Sequence, residues 1–406
     1  MTKQQTADNE TMEQFQKGKR NQILLAFGII CVAIILRSPI TGVGSLVGQI
    51  KQELHLSNTV AGMITTIPLV AFAVSSGFMS GIGRRFGEGR TIFAGLILVS
   101  AGVGLRSYCG TVGLFLGTVS LGFGISAGNV LLPGLIKAKF PGRVGLMTGI
   151  YTTVASIFAA LASGISIPLS YAGLGWRNSL AIWGIIPLIG LLIWKTQTHV
   201  RFSREESQKN SIPVSIHKSK TAWWVTLFMG SQSFIYYSLV AWFPTVLQAK
   251  GISEGASGIY STAYQLMGIP FSFLVPIVAV KQKDQKWIAS AVGFSYTIGL
   301  SFLLFGTSPA LLWVGTIFCG FCAGTSLSMA MSLISLRSPD GVTAGKLSGM
   351  AQSIGYALAA VGPFALGSLF DFSGNWSMPL GVLIAVSLFM VLGGYEGGKD
   401  NMIMEK

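Results

Sequence analysis

Long apolar runs recur along the 406-residue chain, from residue 22 to residue 396. Each run has about 18 or more residues, enough for a helix to cross a hydrocarbon core of about 30 Å. An isolated strand in lipid would leave its backbone groups unpaired, so each run is predicted to be a helix. The chain is 51% hydrophobic and only 10% charged, which leaves no room for a soluble catalytic domain.

The runs predict an all-α membrane protein with twelve transmembrane helices in two six-helix bundles. The predicted spans are 22–43, 58–82, 91–108, 112–137, 145–171, 178–196, 221–247, 255–280, 286–307, 310–336, 342–370 and 376–396. One long polar connection separates the first six spans from the last six. The predicted organisation is an N-terminal tail (1–21), a bundle (22–196), a linker (197–220), a second bundle (221–396) and a tail (397–406).

The net charge of +14 is concentrated in alternate loops. The predicted basic loops hold Lys17, Lys19, Arg20, Arg84, Arg85, Arg90, Lys137, Lys139, Arg143, Lys195, Arg201, Lys281, Lys283, Lys286, Arg337 and Lys346. The other loops are assigned little more than Lys51, Arg106, Arg177 and Lys250. This asymmetry predicts a multi-pass protein of the cell (inner) membrane with both termini in the cytoplasm. It argues against nucleic-acid binding, which needs one clustered basic face.

Similar short motifs recur about 200 residues apart in the two halves. Residues 66–69 (TIPL) correspond to 268–271 (GIPF), and Pro141, Gly145 and Gly149 correspond to Pro339, Gly345 and Gly349. A six-span repeat in the same orientation is the expected result of duplicating an even number of crossings.

Five segments carry a resemblance to a known family. They are residues 36–44 (LRSPITGVG), 84–88 (RRFGE), 128–133 (GNVLLP), 143–149 (RVGLMTG) and 232–244, which ends in AWFP. In these segments the chain resembles the major facilitator superfamily, and within it the cyanate and nitroimidazole transporter branch (CynX/NimT-like). The superfamily's usual loop signature has Asp where this chain has Arg84.

The resemblance implies alternating access between two bundles. It implies a central cavity lined by spans 1, 4, 7 and 10, with help from spans 2, 5, 8 and 11. It also implies that the loop arginines Arg84, Arg85 and Arg90 serve the inner gate.

Arg37 is the clearest candidate for a substrate contact. It lies fifteen residues into the first span, roughly 22 Å from the cytoplasmic end at 1.5 Å per residue. Pro39 and Gly42 lie beside it, where a helix is expected to break. A guanidinium with five donors suits a small planar anion. The alternatives are a structural role, in which Arg37 binds carbonyls of a neighbouring helix, and an outward orientation in which its side chain snorkels toward the membrane surface.

Polar side chains in the middle of other spans are predicted to complete the pocket. They are Asn129, Tyr151, Gln232, Tyr236, Trp242, Tyr264, Gln265, Gln352 and Tyr356. Gln232 and Tyr236 are four residues apart and share a helical face, as do Gln352 and Tyr356. The alternative for each is a hydrogen bond between neighbouring helices of the bundle.

All fourteen Asp and Glu residues fall in loops or at span ends. No intramembrane carboxylate or imidazole is therefore expected to carry protons, and we predict uniport, exchange, or co-transport in which the solute carries its own proton. Cys319 and Cys322 form a C-x-x-C in an apolar span and are expected to be buried thiols. No metal or cofactor is expected.

The sequence thus predicts a secondary transporter for a small anionic or nitrogen-containing solute, functional as a monomer. The alternative within transport is an exporter of neutral or amphiphilic drugs such as nitroimidazoles. A membrane-embedded enzyme would need a nucleophile, a metal cluster or paired carboxylates within the spans, and the spans contain none of these patterns.

Overall fold

The computed structural model describes residues 21–56, 58–201 and 215–403, and within these ranges the chain is almost entirely helical. The first half contains α1 (residues 21–35), α2 (Ser38–Glu53), α3 (Asn58–Phe86), α4 (Glu88–Tyr108), α5 (Gly110–Lys139), α6 (Val144–Leu169), α7 (Gly175–Ala181) and α8 (Ile185–Trp194). The second half contains α9 (Lys220–Ala249), α10 (Glu254–Met267), α11 (Ile269–Lys281), α12 (Lys286–Phe305), α13 (Pro309–Arg337), α14 (Gly341–Ser373) and α15 (Ser377–Gly397).

These helices make the twelve predicted membrane crossings, six in each half. In the described part of the chain, ten helical segments are long and apolar enough to cross a membrane. One of them, Pro141–Gln197, has 57 residues and contains two crossings, α6 and the pair α7 and α8. The 30-residue helix α9 adds a further crossing that is richer in polar and aromatic side chains. The predicted fold of two six-helix bundles is confirmed.

The first crossing is broken, as Pro39 and Gly42 predict. The helix ends before Leu36 and Arg37, and α2 begins at Ser38 with Pro39 in its first turn. Because Pro39 has no N–H, the chain cannot continue the hydrogen-bond ladder there. The Ser38 hydroxyl donates to the Ile34 carbonyl at 2.7 Å, which satisfies one acceptor released by the break.

The two halves meet through α3 against α14 and α6 against α11. Glycines allow the backbones to approach closely at one end of these pairs. A Cβ on Gly349 would lie 2.8 Å from the Ser76 carbonyl, and one on Gly145 would lie 2.7 Å from the Pro276 carbonyl. In the predicted repeat the partner of Gly349 is Gly149, where a Cβ would lie 2.7 Å from the Phe273 carbonyl. Equivalent glycines therefore seal the interface near the start of α6 and of α14.

This sealed end is also the end where the basic loops lie, and we call it the basic end. It carries the loops that follow α3, α5, α11 and α13, with Arg84, Arg85, Lys139, Arg143, Lys281, Lys283 and Lys346 among their residues or in the adjoining helix turns. The opposite end of the molecule is called the open end below, because exposed lining residues of the cavity between the halves lie toward it.

Each half ties its last segment back onto one of these loops. Gly89 N donates to the Val200 carbonyl at 3.0 Å, and Gln285 N donates to the Gly398 carbonyl at 2.7 Å. Gly89 lies at the start of α4 and Gln285 precedes α12, which are equivalent places in the two halves. The repeat therefore extends to backbone contacts at the basic end.

Arg106 is placed differently from the sequence prediction, which assigned it to a loop. It lies within α4 and only 1% of it is exposed. The third predicted span ends at residue 108, two residues after Arg106. The hydropathy pattern does not show whether a side chain this close to the end of a span points outward to the loop or inward to the bundle. Arg106 points inward.

Candidate transport site

A cavity of about 460 Å³ lies between the two halves. It is lined by side chains from crossings 1, 2, 4, 5, 7, 8, 10 and 11, which is the set that the family resemblance implies. The lining residues Gly44, Thr65, Thr66, Val240 and Ala241 are exposed and lie toward the open end. The cavity therefore opens away from the basic end, where the halves are sealed.

Arg37 brings a guanidinium into this cavity from the break between α1 and α2. Its Cζ lies 5.2 Å from the centroid of the Tyr236 ring, a cation–π distance. Among the described residues the guanidinium makes no hydrogen bond and no ion pair, and no Asp or Glu lines the cavity wall. Its N–H donors are thus available to a solute.

Tyrosines form the wall around Arg37. The rings of Tyr236 and Tyr237 meet edge-on at 5.1 Å, and Tyr237 lies 6.4 Å from Tyr356. Phe72, from the first half, packs on Tyr356 at 4.8 Å. Tyr151 lines the cavity from α6. Phenol rings offer both an apolar face and a hydroxyl donor, so this wall can hold a planar solute and hydrogen-bond its polar edge.

The floor of the cavity is a polar contact between the halves. Asn129 on α5 donates to the Tyr356 hydroxyl at 3.4 Å, and Gln352 donates to the Asn129 carbonyl at 2.8 Å. The Gln352 side-chain amide also donates a hydrogen bond to the Ser348 hydroxyl at 2.7 Å. These bonds join α5 to α14 on the side of the cavity toward the basic end, where they help to close that end.

A second contact between the halves joins α6 to α11. The hydroxyls of Thr153 and Ser272 lie 2.9 Å apart, and Thr152 donates to the Ser272 carbonyl at 3.3 Å. Thr152 also lines the cavity. The α5–α14 contact and the α6–α11 contact therefore each include residues that line the cavity or contact a lining residue.

Six of the ten predicted binding residues line the cavity: Arg37, Asn129, Tyr151, Tyr236, Gln265 and Tyr356. The other predicted residues lie behind this wall. Gln352 belongs to the floor contact, and the indole N–H of Trp242 donates to the carbonyl of Pro363, a lining residue, at 2.8 Å. Tyr264 is buried, with its ring stacked on Phe243 at 5.2 Å.

Gln232 bonds within the second half rather than facing the cavity. Its amide nitrogen donates to the Ser233 hydroxyl at 2.7 Å, and its amide oxygen accepts from Ser326 on α13 at 3.2 Å. The structure thus favours the packing alternative for Gln232. The shared face of Gln352 and Tyr356 is as expected, because both contact Asn129.

The lining also includes polar residues that sequence reasoning missed: Thr41, Thr65, Thr66, Thr152, Ser163 and Tyr237. Thr41 follows Arg37 by four residues, and that spacing could have identified it. Tyr237 adjoins Tyr236 in the sequence, and neighbouring residues on a helix point about 100° apart, so the four-residue spacing that pairs Gln232 with Tyr236 does not identify Tyr237.

The loop arginines Arg84, Arg85 and Arg90 are exposed at the basic end. Cys319 and Cys322 are fully buried, as predicted, and the Cys322 thiol donates to the Val292 carbonyl at 3.2 Å. In the described ranges, no group of three or more His, Cys, Asp or Glu side chains could hold a metal ion.

Two helix bundles around a cavity that is sealed at one end define a membrane transporter, not an enzyme. The chain belongs to the Major Facilitator Superfamily, whose family model matches residues 25–363. Within that family it is CynX/NimT-like.

Three relatives support this placement. The chain is 44% identical to the uncharacterized transporter YycB of Bacillus subtilis, over 94% of this chain and 95% of the relative. It is 38% identical to the 2-nitroimidazole transporter of Escherichia coli, over 95% and 98%. It is 25% identical to the cyanate transport protein CynX of Escherichia coli, over 86% and 91%.

A solved structure of the proton:xylose symporter XylE has the same fold. The TM-score is 0.77, with 12% sequence identity, over 92% of this chain and 95% of the symporter. At this identity the likeness concerns the fold alone.

Proposed function

We propose that this transporter carries a small anionic or nitrogen-containing solute and that Arg37 is the counter-ion of the bound solute. The observation that carries the proposal is the Arg37 guanidinium, which lines the cavity, lies 5.2 Å from the centroid of the Tyr236 ring and makes no hydrogen bond or ion pair with a described residue. A charge at membrane depth is costly unless it has a partner. A bound anion supplies that partner.

The shape of the site favours a planar solute. A guanidinium presents its donors in a flat fork that matches a carboxylate or a similar planar anion. The rings of Tyr236, Tyr237 and Tyr356 surround it and can stack on a flat molecule. Two relatives are transporters of 2-nitroimidazole and of cyanate, and both solutes are small and contain nitrogen.

A neutral or amphiphilic solute is the second candidate, with export as its direction. The aliphatic part of the wall favours it, since Leu36, Ile40, Leu69 and Met331 all line the cavity. Such a solute would use the tyrosine wall and would gain little from the Arg37 charge. Benzoate and benzamide distinguish the two candidates, because they share size and ring and differ in charge.

Alternating access then follows from rocking of two bodies, residues 22–196 and 221–396, in a monomer. The positive-inside rule supports a cytoplasmic location for the basic end. The cavity described above would therefore face outward, with Arg84, Arg85 and Arg90 bracing the closed cytoplasmic end. With Arg37 as the charged lining residue among those described, we infer uniport, exchange, or uptake of a solute that carries its own proton.

The test is uptake of benzoate, benzamide, cyanate and 2-nitroimidazole into proteoliposomes, comparing the wild type with Arg37→Ala and Arg37→Lys. Loss of the guanidinium should lower uptake of the transported anion about tenfold to a hundredfold, since hydrogen bonds to a charged group contribute about 1.5–3 kcal/mol. Lys should perform poorly because it lacks the fork. Arg177→Lys is the matched control, because Arg177 is a partly exposed arginine near the open end that pairs with Glu53 and does not line the cavity.

Equal uptake of anions by the wild type and both Arg37 variants would reject the counter-ion role. Uptake of benzamide but not benzoate, unaffected by either Arg37 variant, would favour the second candidate.

A further inference from the structure

Arg106 contacts the broken first crossing from the neighbouring helix α4. Its Nη1 donates to the Pro39 carbonyl at 2.6 Å. Its Nε and Nη2 are buried and have no partner among the described residues. Neither Arg106 nor Pro39 lines the cavity, whereas Arg37, two residues before Pro39, does. Around the break, Arg37, Ile40 and Thr41 line the cavity and Pro39 does not, so Arg106 holds the side of the break that faces away from the cavity.

A buried arginine is an expensive way to pack two helices. A guanidinium with unsatisfied donors loses several kcal/mol of hydration, and an apolar side chain of similar volume would pack α4 at lower cost. Packing alone therefore does not explain Arg106. What the cation adds is a strong hydrogen bond to one carbonyl in the first turn of α2.

The donor is held on a rigid support. Gly117 on α5 lies so close to α4 that a Cβ there would be 2.6 Å from the Arg106 backbone nitrogen. Gly102, one turn before Arg106, is equally close to α5, with its Cβ position 2.7 Å from the Gly117 carbonyl. Arg106 therefore acts on α2 from a fixed place. The helix is interrupted at Leu36 and Arg37, so the direction of α2 is set at this two-residue break.

We propose that Arg106 is a positioning residue for Arg37. Its bond to the Pro39 carbonyl sets the direction in which α2 leaves the break, and that direction aims the Arg37 side chain into the cavity. The inference rests on the proposed role of Arg37 in solute binding. The test of the positioning role measures how accessible position 37 is from the cavity, and it needs no transported solute.

The test measures how fast a thiol at position 37 reacts with reagents in the cavity. Arg37→Cys is placed in a background with Cys31→Ser and Cys109→Ser, which removes the two cysteines that are not fully buried. The reagents are an anionic methanethiosulfonate with a sulfonatoethyl group and a neutral one with a hydroxyethyl group. Rates are compared with and without Arg106→Gln. Val240→Cys, at an exposed residue of the cavity wall, is the matched control.

We expect Arg106→Gln to slow both reagents at position 37 by at least fivefold and to leave both rates at position 240 unchanged. Unchanged rates at position 37 would overturn the proposal. So would slowing of the anionic reagent alone, because Arg106 would then act only through its charge. Equal slowing at both positions would mean a general collapse of the cavity and would also reject a positioning role.

If Arg106→Gln does not give folded protein, Arg106→Lys serves instead. It keeps the charge but has a shorter reach to the Pro39 carbonyl, and we expect about threefold slowing of both reagents at position 37. An unchanged rate in that variant would equally overturn the proposal. If no solute depends on Arg37 in uptake assays while the thiol result holds, the proposed function fails and the positioning geometry stands.

Discussion

The Arg37 guanidinium in the first half lies 5.2 Å from the centroid of the Tyr236 ring in the second half. The contact crosses the interface at which alternating access requires movement. A cation–π contact is worth about 0.5–2 kcal/mol, depending on how far it is desolvated. A solute on Arg37 would therefore lie beside a contact that joins the two halves.

Substitutions of Tyr236 should distinguish the contribution of its ring to solute binding from the contribution of its hydroxyl group. Tyr236→Phe keeps the cation–π face, and we expect less than a threefold rise in KM for the transported anion. Tyr236→Leu removes that face and should raise KM about twofold to thirtyfold. Initial rates in proteoliposomes give both values. Equal losses in the two variants would instead assign the contribution of Tyr236 to its hydroxyl group.

Gln352 should stabilise the conformation that is closed at the basic end. Gln352→Leu removes the 2.8 Å bond to the Asn129 carbonyl and leaves that acceptor without this donor. A lost hydrogen bond of about 0.5–1.5 kcal/mol shifts a two-state equilibrium about twofold to tenfold toward opening at that end. Distances between spin labels on α3 and α14 at the basic end report the shift.

Ser348→Ala is the comparison for Gln352→Leu. It removes the 3.5 Å bond from the Ser348 hydroxyl to the same carbonyl and the acceptor of a second Gln352 bond, but it leaves the 2.8 Å bond from Gln352 to Asn129 in place. Its effect should be the smaller of the two. A larger shift for Ser348→Ala than for Gln352→Leu would contradict this account of the floor contact.

Two glycines on α6 provide a steric test of the sealed interface. A Cβ on Gly145 would meet the Pro276 carbonyl at 2.7 Å, whereas one on Gly164 would meet nothing within 4 Å. Gly145→Ala should push α6 from α11 and reduce the maximal transport rate severalfold. Gly164→Ala should leave that rate within twofold of wild type, because both substitutions raise helix propensity alike. Similar rates for the two variants would show that the interface tolerates the added methyl group.

Glu53, at the open end, makes a pH-dependent contribution to the stability of the folded state. Hydrogen bonds from Arg177 and from the Trp176 indole, the latter at 2.6 Å, lower the pKa of the Glu53 carboxyl. A lowered pKa in the folded state adds stability above the usual glutamate pKa of about 4.3, and this stability is lost as pH falls through the folded-state value. Because the pair is partly exposed, the contribution is about 0.2–1 kcal/mol.

Glu53→Gln should therefore lower the melting temperature slightly at pH 7, and the difference from wild type should vanish at pH 3. Thermal unfolding of the detergent-solubilised protein at both pH values measures this. A difference that grows as the pH falls would have the wrong sign for a carboxylate stabilised by Arg177.

Cys109 can report the orientation of the chain in the membrane. It is the exposed cysteine among those described and lies at the open end, between α4 and α5. If the basic end is cytoplasmic, a membrane-impermeant maleimide should label intact cells through Cys109, and Cys109→Ser should abolish most of the labelling. Labelling that requires permeabilised cells would reverse the proposed orientation.

The sequence predicted the crossings, the broken first crossing and the cavity-facing position of Arg37 because lipid limits the alternatives. Backbone groups must pair within helices, and a proline beside an intramembrane charge marks a break. Whether a mid-span amide faces a cavity or a neighbouring helix depends on helix rotation, which packing sets. That is why the sequence predicted Asn129 and Gln232 equally as binding residues, although they lie in different environments. Asn129 lines the cavity, whereas Gln232 is bonded to Ser326.

Arg106 shows the same limit. Two residues before the end of a span, a cation can reach outward to lipid headgroups or inward to a carbonyl. Only the close approach of α4 and α5 at Gly102 and Gly117 fixes the backbone so that it turns inward. A pattern of single residues does not contain that information.

One phenol ring belongs both to the cargo compartment and to the barrier beneath it. Tyr356 lines the cavity, and its hydroxyl accepts the Asn129 bond that joins the halves. Selectivity and turnover are consequently not independent traits in this carrier. A substitution at Tyr356 that admits a new solute also alters how readily the barrier opens, so a change in the range of transported solutes would come with a change in the turnover rate.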